Sequence, residues 1–268
     1  MTKKLSLAEK LRSGQPVITA WSLLPAPIVP ELLARAGYPA VTLDLQHGMH
    51  DFNEARDMLA AIALGGAHRI VRVPLDDNAS AARLADVGAE CVIAPMINSA
   101  KEASAFARAL KYPPVGDRSY GPFRASVLSG LSNEDYLERA NTEILSLAMV
   151  ESREALDALD DILAVPELDG IFVGPSDLSI SMSNGEAVDP NGEETARTCA
   201  MIAEKATEAG KIPGIFCLGA EKVKETVDQG YKLITHGIDA ALLDSAAKAA
   251  LGEVEAFVGT VEGDRAAY

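Results

Sequence analysis

Cysteine is scarce in this chain: three in 268 residues, Cys91, Cys199 and Cys217, far apart and without a CxxC pair. That excludes a disulfide framework and a cysteine zinc site, and suits small buried thiols in a reducing compartment. Basic residues are outnumbered, 24 against 39 acidic, a net charge of −15. Such a surface repels nucleic acid and anionic membranes, so neither is expected as a partner. No run approaches the roughly 18 apolar residues of a membrane span. The opening "MTKKLSLAEKLRSG" is charged throughout and lacks the apolar core of a signal peptide. A cytoplasmic protein is the expectation.

What is present is a rhythm. Short apolar runs recur at 16–23, 40–46, 69–74, 90–95, 144–151, 168–174, 212–218 and 231–237. Each is followed by a polar turn and a helical pattern such as "DFNEARDMLAAIALGG" or "SAKEASAFARALK". Near-continuous hydrophobicity suits parallel strands covered on both faces. Gly37, Gly88, Gly210 and Gly230 fall where a helix ends in a left-handed residue. Eight strand–helix units in one chain of this length predict a (β/α)8 TIM barrel, one domain over residues 1–268. A doubly wound open sheet is the competitor, but it favours a glycine-rich phosphate turn after its first strand. Here "LPAPIVP" follows instead, with no glycine. One connection breaks the rhythm, a Pro-, Gly- and Arg-rich insert at about 112–142 with a helical pattern at "SNEDYLERAN". A lid, a subunit contact and a tolerated surface insertion are all open readings of it.

Barrel chemistry sits at the C-terminal ends of the strands. The first run ends near Trp21, and the second ends in Asp44, Gln46 and His47. The third carries Arg72, the fifth ends at Glu151, the sixth runs into "GPSD" with Asp177, and the eighth ends at His236. Glu151 and Asp177 close consecutive strands, whose backbones lie about 4.8 Å apart. Two carboxylates brought together repel, and a hard divalent cation such as Mg²⁺ or Mn²⁺ relieves that repulsion. Either could instead simply cap the helix that follows. Arg72, inside an apolar strand, needs an anionic partner, either an Asp or Glu of the chain or a substrate carboxylate. His47 is a proton carrier if it faces the mouth and otherwise a hydrogen-bonding residue, as His68 and His236 are taken to be. Gly174, Pro175 and Ser176 precede Asp177 where free backbone N–H groups could receive a carboxylate.

Taken together, "LDLQHG", "RVP", "ADVGAECVIAPMINSAKEA", "YPPVGDRSYG", "MVESREAL", "IFVGPSDLS" and "GIDAALLDSAA" are collinear and cover most of residues 5–255. They resemble the HpcH/HpaI aldolase/citrate lyase family. Within it they resemble the class II, metal-dependent pyruvate aldolases related to 2,4-dihydroxyhept-2-ene-1,7-dioate (4-hydroxy-2-oxoheptanedioate) aldolase. The resemblance implies an aldehyde-lyase that reversibly cleaves 4-hydroxy-2-oxo acids to pyruvate and an aldehyde through a metal-stabilised enolate. It implies that Glu151 and Asp177 hold Mg²⁺, Mn²⁺ or Co²⁺. Arg72 contacts the keto oxygen, and the amides of Ser176 and Asp177 take the carboxylate beside Gly174 and Pro175. His47 acts as the acid/base, paired with Asp86, although Asp86 reads as lying near a helix C-terminus. Asp44 matches an aspartate near a neighbouring subunit's site, and the expected assembly is a homohexamer, a trimer of dimers.

The chain also departs from that pattern. Gln46 stands where the family usually has Glu, and Met149 where it commonly has Gln, which removes a hydrogen-bond donor near the metal. Tyr120 and Phe216 are larger than the residues expected there and, with Trp21, shape the substrate pocket. The absence of a strand-end lysine argues against Schiff-base chemistry. Two alternatives remain. One is a malyl- or citramalyl-type acyl-CoA lyase, which would need a basic patch that this acidic chain lacks. The other is a barrel that binds without turnover. The acceptor aldehyde, the physiological metal, the stereochemistry and the pathway are not legible.

Overall fold

Apolar runs of four to six residues cannot be stable alone, because both faces need cover. In the computed structural model, which describes residues 5–259, the eight runs supply that cover to one another. The strands are β1 Val17–Ser22, β2 Ala40–Asp44, β3 His68–Arg72 and β4 Cys91–Ala94. They continue as β5 Leu145–Val150, β6 Gly170–Val173, β7 Ile212–Phe216 and β8 Leu233–Ile238. Every neighbouring pair is parallel, and β8 pairs back onto β1, closing the barrel. The (β/α)8 expectation holds, and the open-sheet competitor falls with that closure. Gly37, Gly88, Gly210 and Gly230 all take positive φ.

Two cores follow from the alternation of side chains along each strand. Outward-facing Val41, Leu43, Val71, Val92, Val150 and Val173 pack beneath the surrounding helices. Inward-facing Trp21, Ile70, Ile93, Leu147, Met149 and Phe172 fill the barrel. The N-terminal helix Leu7–Arg12 closes the bottom of the barrel. Ser6 and Glu9 form its capping box, and Leu7 and Leu11 enter the inner core.

Two elements depart from the simple repeat. The insert holds two helices, Phe123–Ser129 and Asn133–Glu143, of which the sequence indicates only the second. The last helix, Asp239–Val258, buries only Asp239. Leu242, Leu243, Leu251, Val254, Phe257 and Val258 along it are exposed. A twenty-residue helix that leaves its apolar side chains in water has not found its packing partner within its own barrel.

Candidate active site

Trp21, Arg72, Met149 and Phe216 project inward from β1, β3, β5 and β7, alternate strands of the barrel. This is how such barrels fill in layers of four. The Arg72 guanidinium lies 5.0 Å from the centroid of the Trp21 ring, and Phe216 meets Trp21 edge-on at 5.1 Å. Phe172 from β6 stacks against the other part of Trp21 at 6.0 Å. The floor of the mouth is therefore four apolar side chains and one guanidinium.

That guanidinium is fixed by Asp44. Arg72 Nε donates to Asp44 Oδ1 at 2.9 Å and Nη2 to Oδ2 at 2.6 Å, a bidentate pair out of water. Trp21 Nε1 donates to the same carboxylate at 3.1 Å, as do the backbone amides of Gln46 and His47 at 3.0 and 3.3 Å. Burial pushes the Asp44 carboxyl up. The Arg72 hydrogen bonds and charge, with the Trp21 and Gln46 donors, outweigh that and hold it below its ordinary value. Arg72 Nη1 is left with only the Met149 thioether, at 4.0 Å. Asp44 thus serves its own barrel's arginine, whatever it contributes to a neighbour.

The turn after β2 explains why that strand ends in polar residues. Gly48 N donates to Asp44 O at 3.1 Å, and a Cβ on Gly48 would sit 2.1 Å from that oxygen. Only glycine allows the chain to fold back this tightly and present Gln46 and His47 at the rim. His47 is exposed there. His50, in the same polar clump of the sequence, is buried behind the turn with neither ring nitrogen partnered, and burial lowers its pKa.

Glu151 follows β5 and is 3% exposed, while Asp177, in the first turn of the helix Pro175–Met182, is exposed. Burial pushes the Glu151 carboxyl up to about 7. The Met96 amide opposes this and the charge of Asp177 adds to it. Met96 holds a left-handed φ of 52°, rare for a non-glycine residue, and its N–H donates to Glu151 Oε1 at 2.7 Å. On the other side, a Cβ on Gly174 would lie 2.5 Å from Glu151 Oε2. Gly174 is there to let the carboxylate in. An all-oxygen pair, one member buried and held in the neutral-leaning state, fits a hard divalent cation completed by water or substrate. No cluster of three or more His, Cys, Asp or Glu suited to a metal occurs among the described residues.

Other expected site residues lie apart. Asp86 ends the helix Asn78–Asp86, where its carboxylate accepts from Arg118 Nη2 at 2.6 Å, and no described residue of the chain joins it to His47. Tyr120 stands on the insert, half exposed, its ring against Tyr112 and its hydroxyl donating to Asn133 O. Asp239 is a residue that sequence reasoning missed. It accepts from Ser22 Oγ and the amides of Leu23 and Leu24, tying the end of β8 to the end of β1. Its only sequence signal is an acidic residue at a helix start. Met96 has none.

A parallel eight-stranded barrel with an arginine–carboxylate pair and two further carboxylates at its C-terminal mouth defines an enzyme of the barrel class. Residues 18–246 match the family model described as HpcH/HpaI aldolase/citrate lyase. The chain belongs to that family, and it is an aldolase, a carbon–carbon lyase. It is 39% identical over 243 residues to the hydroxypyruvate/pyruvate aldolase of Rhizorhabdus wittichii, covering 91% of this chain and 96% of that one. It is 34% identical to the 4-hydroxy-2-oxo-heptane-1,7-dioate aldolase of Shigella sonnei, covering 91% and 92%. The crystal structure of a family member from Burkholderia cenocepacia superposes with a TM-score of 0.84 at 30% identity, covering 93% of this chain and 98% of that one. No helix among the described residues is long and apolar enough to cross a membrane.

Proposed function

We propose that this aldolase reversibly joins pyruvate to an aldehyde, giving a 4-hydroxy-2-oxo acid. The observation that carries the reading is the single unsatisfied edge of Arg72. Asp44 takes Nε and one N–H of Nη2, so the Nη1 end of the guanidinium remains to donate to an oxygen at the mouth, beside Glu151 and Asp177.

In this reading Glu151 and Asp177 hold a divalent cation, Mg²⁺ or Mn²⁺ with Co²⁺ as a further candidate. Its chemistry when bound would be Lewis-acid stabilisation of the enolate that forms as a methyl proton passes to a solvent water. Arg72 Nη1 donates to the keto oxygen as negative charge develops there. Because the guanidinium is already fixed on Asp44 and Trp21, no reorganisation is needed at that moment. The free amides at the start of the helix Pro175–Met182, those of Ser176 and Asp177 beside Gly174, receive the substrate carboxylate. His47, at the exposed rim, takes the proton of the 4-hydroxyl in cleavage and returns it in synthesis. Asp86 supports His47 only if a neighbouring copy brings it there. Trp21 and Phe216 form the pocket wall, and Tyr120 belongs to the rim of the insert.

The assembly is proposed to be a homohexamer, a trimer of dimers, in the cytoplasm. The uncovered last helix, Asp239–Val258, supports association with further copies. The test of the reaction is exchange of pyruvate methyl protons in D₂O with Mg²⁺, with Mn²⁺ and after chelation. Fast cation-dependent exchange is the expected result, and no exchange with either cation would overturn the reading.

A further inference from the structure

The turn after β2 is anchored on both sides of His50. Asp44 takes the amides of Gln46 and His47 on its carboxylate and that of Gly48 on its carbonyl. Met49 N donates to Leu23 O at 2.9 Å, and Asp51 begins the capping box of the helix Phe52–Gly65. Between these anchors the His50 side chain is 5% exposed, with both ring nitrogens unpartnered and closed to water. A Cβ on Gly48 would lie 3.0 Å from His50 Cε1, so the ring lies directly against the turn that presents His47. Three carboxylates act on it: Asp44 at the end of β2, Glu54 in the helix Phe52–Gly65, and Asp239 at the start of the last helix. Each is already committed. Asp44 holds the Arg72 cation, Trp21 Nε1 and two amides. Glu54 Oε2 accepts from Asp51 N. Asp239 accepts from Ser22 Oγ and the amides of Leu23, Leu24 and Ala240. Burial holds the His50 pKa below the ordinary 6.5, against the pull of these three charges.

We propose that His50 is a positioning residue of the aldolase, whose neutral ring supports the turn between Asp44 and the following helix and whose charged ring dismantles it. The inference deepens the reading above, in which Arg72 and His47 act on substrate, and rests on it. A neutral imidazole serves here as a spacer that fills the room beneath Gly48 and competes for no acceptor. An imidazolium has two N–H donors and no water to receive them, so it must take acceptors from the chain. The carboxylates that attract it are those acceptors. Drawing on Asp44 withdraws it from Arg72, from Trp21 and from the amides of Gln46 and His47. Drawing on Asp239 frees the amides of Leu23 and Leu24, and Leu23 O is what holds Met49. Drawing on Glu54 opens the capping box. By each route the turn loses an anchor next to His47. The proton comes from solvent, and the change reverses when it returns there.

Trp21 is the only tryptophan of the chain and donates to Asp44, so its indole reports on this cluster. The experiment follows the nitrogen–proton NMR signal of that indole in EDTA between about pH 8 and about pH 5, the range in which an ordinary histidine titrates. It uses the full chain and its His50→Phe and His50→Leu variants, which keep an apolar side chain against Gly48 and cannot charge. The leucine variant serves if the phenylalanine variant does not fold. The unaltered protein is expected to show a reversible indole shift below pH 6.5 that the variants lack. Pyruvate methyl-proton exchange in D₂O with saturating Mg²⁺ is measured over the same range. Glu151 and the other titrating groups are common to these proteins and cancel in the ratio of their rates. The ratio of unaltered to variant kcat, set to its value near pH 8, is expected to fall about tenfold for each pH unit below the point where His50 takes its proton. An indole shift that is the same in the variants, or absent from the unaltered protein, overturns the role of His50 and leaves the pyruvate reading intact. So do exchange rates that fall in parallel in all the proteins. A shift that follows His50, with no exchange by any of the proteins, overturns the pyruvate reading while the support of the turn by His50 stands.

Discussion

Glu151 is held in a state that costs stability, and that cost can be measured. In the cation-free protein, burial raises its carboxyl from the ordinary 4.5 to about 7. The folded state then keeps a proton that the unfolded chain has already released. Stability is fully present below the unfolded value near 4.5 and is lost as pH rises through the folded value near 7. The gap corresponds to about 3 kcal/mol at alkaline pH, taking about 1.4 kcal/mol for each tenfold change. Glu151→Gln keeps an oxygen for the Met96 amide and cannot ionise, so this contribution to the pH dependence is absent from the variant. Each kcal/mol moves the melting temperature of a domain this size by about 2–4 °C, so the variant melts about 6–12 °C higher near pH 8. Near pH 4 the two proteins coincide. Differential scanning calorimetry in EDTA across that range is the assay, and parallel curves for the two proteins would refute the assignment of a raised carboxyl. Adding Mg²⁺ at alkaline pH should then raise the melting temperature of the unaltered protein and leave Glu151→Gln unmoved.

Asp44→Asn should destabilise the fold by about 3–5 kcal/mol in urea unfolding, because the Arg72 charge stays buried without its counter-charge. Adding Arg72→Met should recover much of that loss, and strict additivity in the double-mutant cycle would show that the pair is not coupled. Asp44 also gives the opposite pH sign to Glu151. Its stabilisation is present above the ordinary carboxylate value and fades as pH falls below it. Leu243→Asp, at an exposed position of the last helix, should reduce the assembled mass in light scattering while circular dichroism stays unchanged. An unaltered mass would mean that this face is not the contact.

The strands were legible because each is a buried apolar run between turn residues. The eight observed strands fall within or beside the eight apolar runs, within a residue or two at each end. The residues at their ends were legible for the same reason, since a charge such as Arg72 inside such a run has to be explained. What the sequence concealed are groups whose role depends on backbone direction or distant packing. Met96 serves through its amide, which any residue could supply, and only its left-handed φ points that amide at Glu151. Asp239 looks like an ordinary helix start until β8 closes on β1. The helix Phe123–Ser129 escapes notice because seven residues give too few turns for periodicity to register. The pairing of Asp86 with Arg118 joins the end of one helix to the insert, a contact that no local pattern encodes.

The arrangement of charge at the mouth follows from a division between fixed and mobile groups. Asp44 is saturated with donors and Arg72 is held on it through two of its three nitrogens, so this pair contributes a field that does not relax. Glu151 is the opposite case. It has one backbone donor, a raised carboxyl and an acidic neighbour, and in the proposed reading it gains most when a cation arrives. Of these two carboxylates, the stored electrostatic cost sits on the one that a ligand can relieve. If Asp44 were the strained member, cation binding would loosen Arg72 as substrate charge developed. If Glu151 were satisfied by the chain alone, cation affinity would fall. In the proposed reading, that the two carboxylates stand at opposite ends of this scale is what makes a single mouth both rigid toward the enolate oxygen and receptive toward a cation.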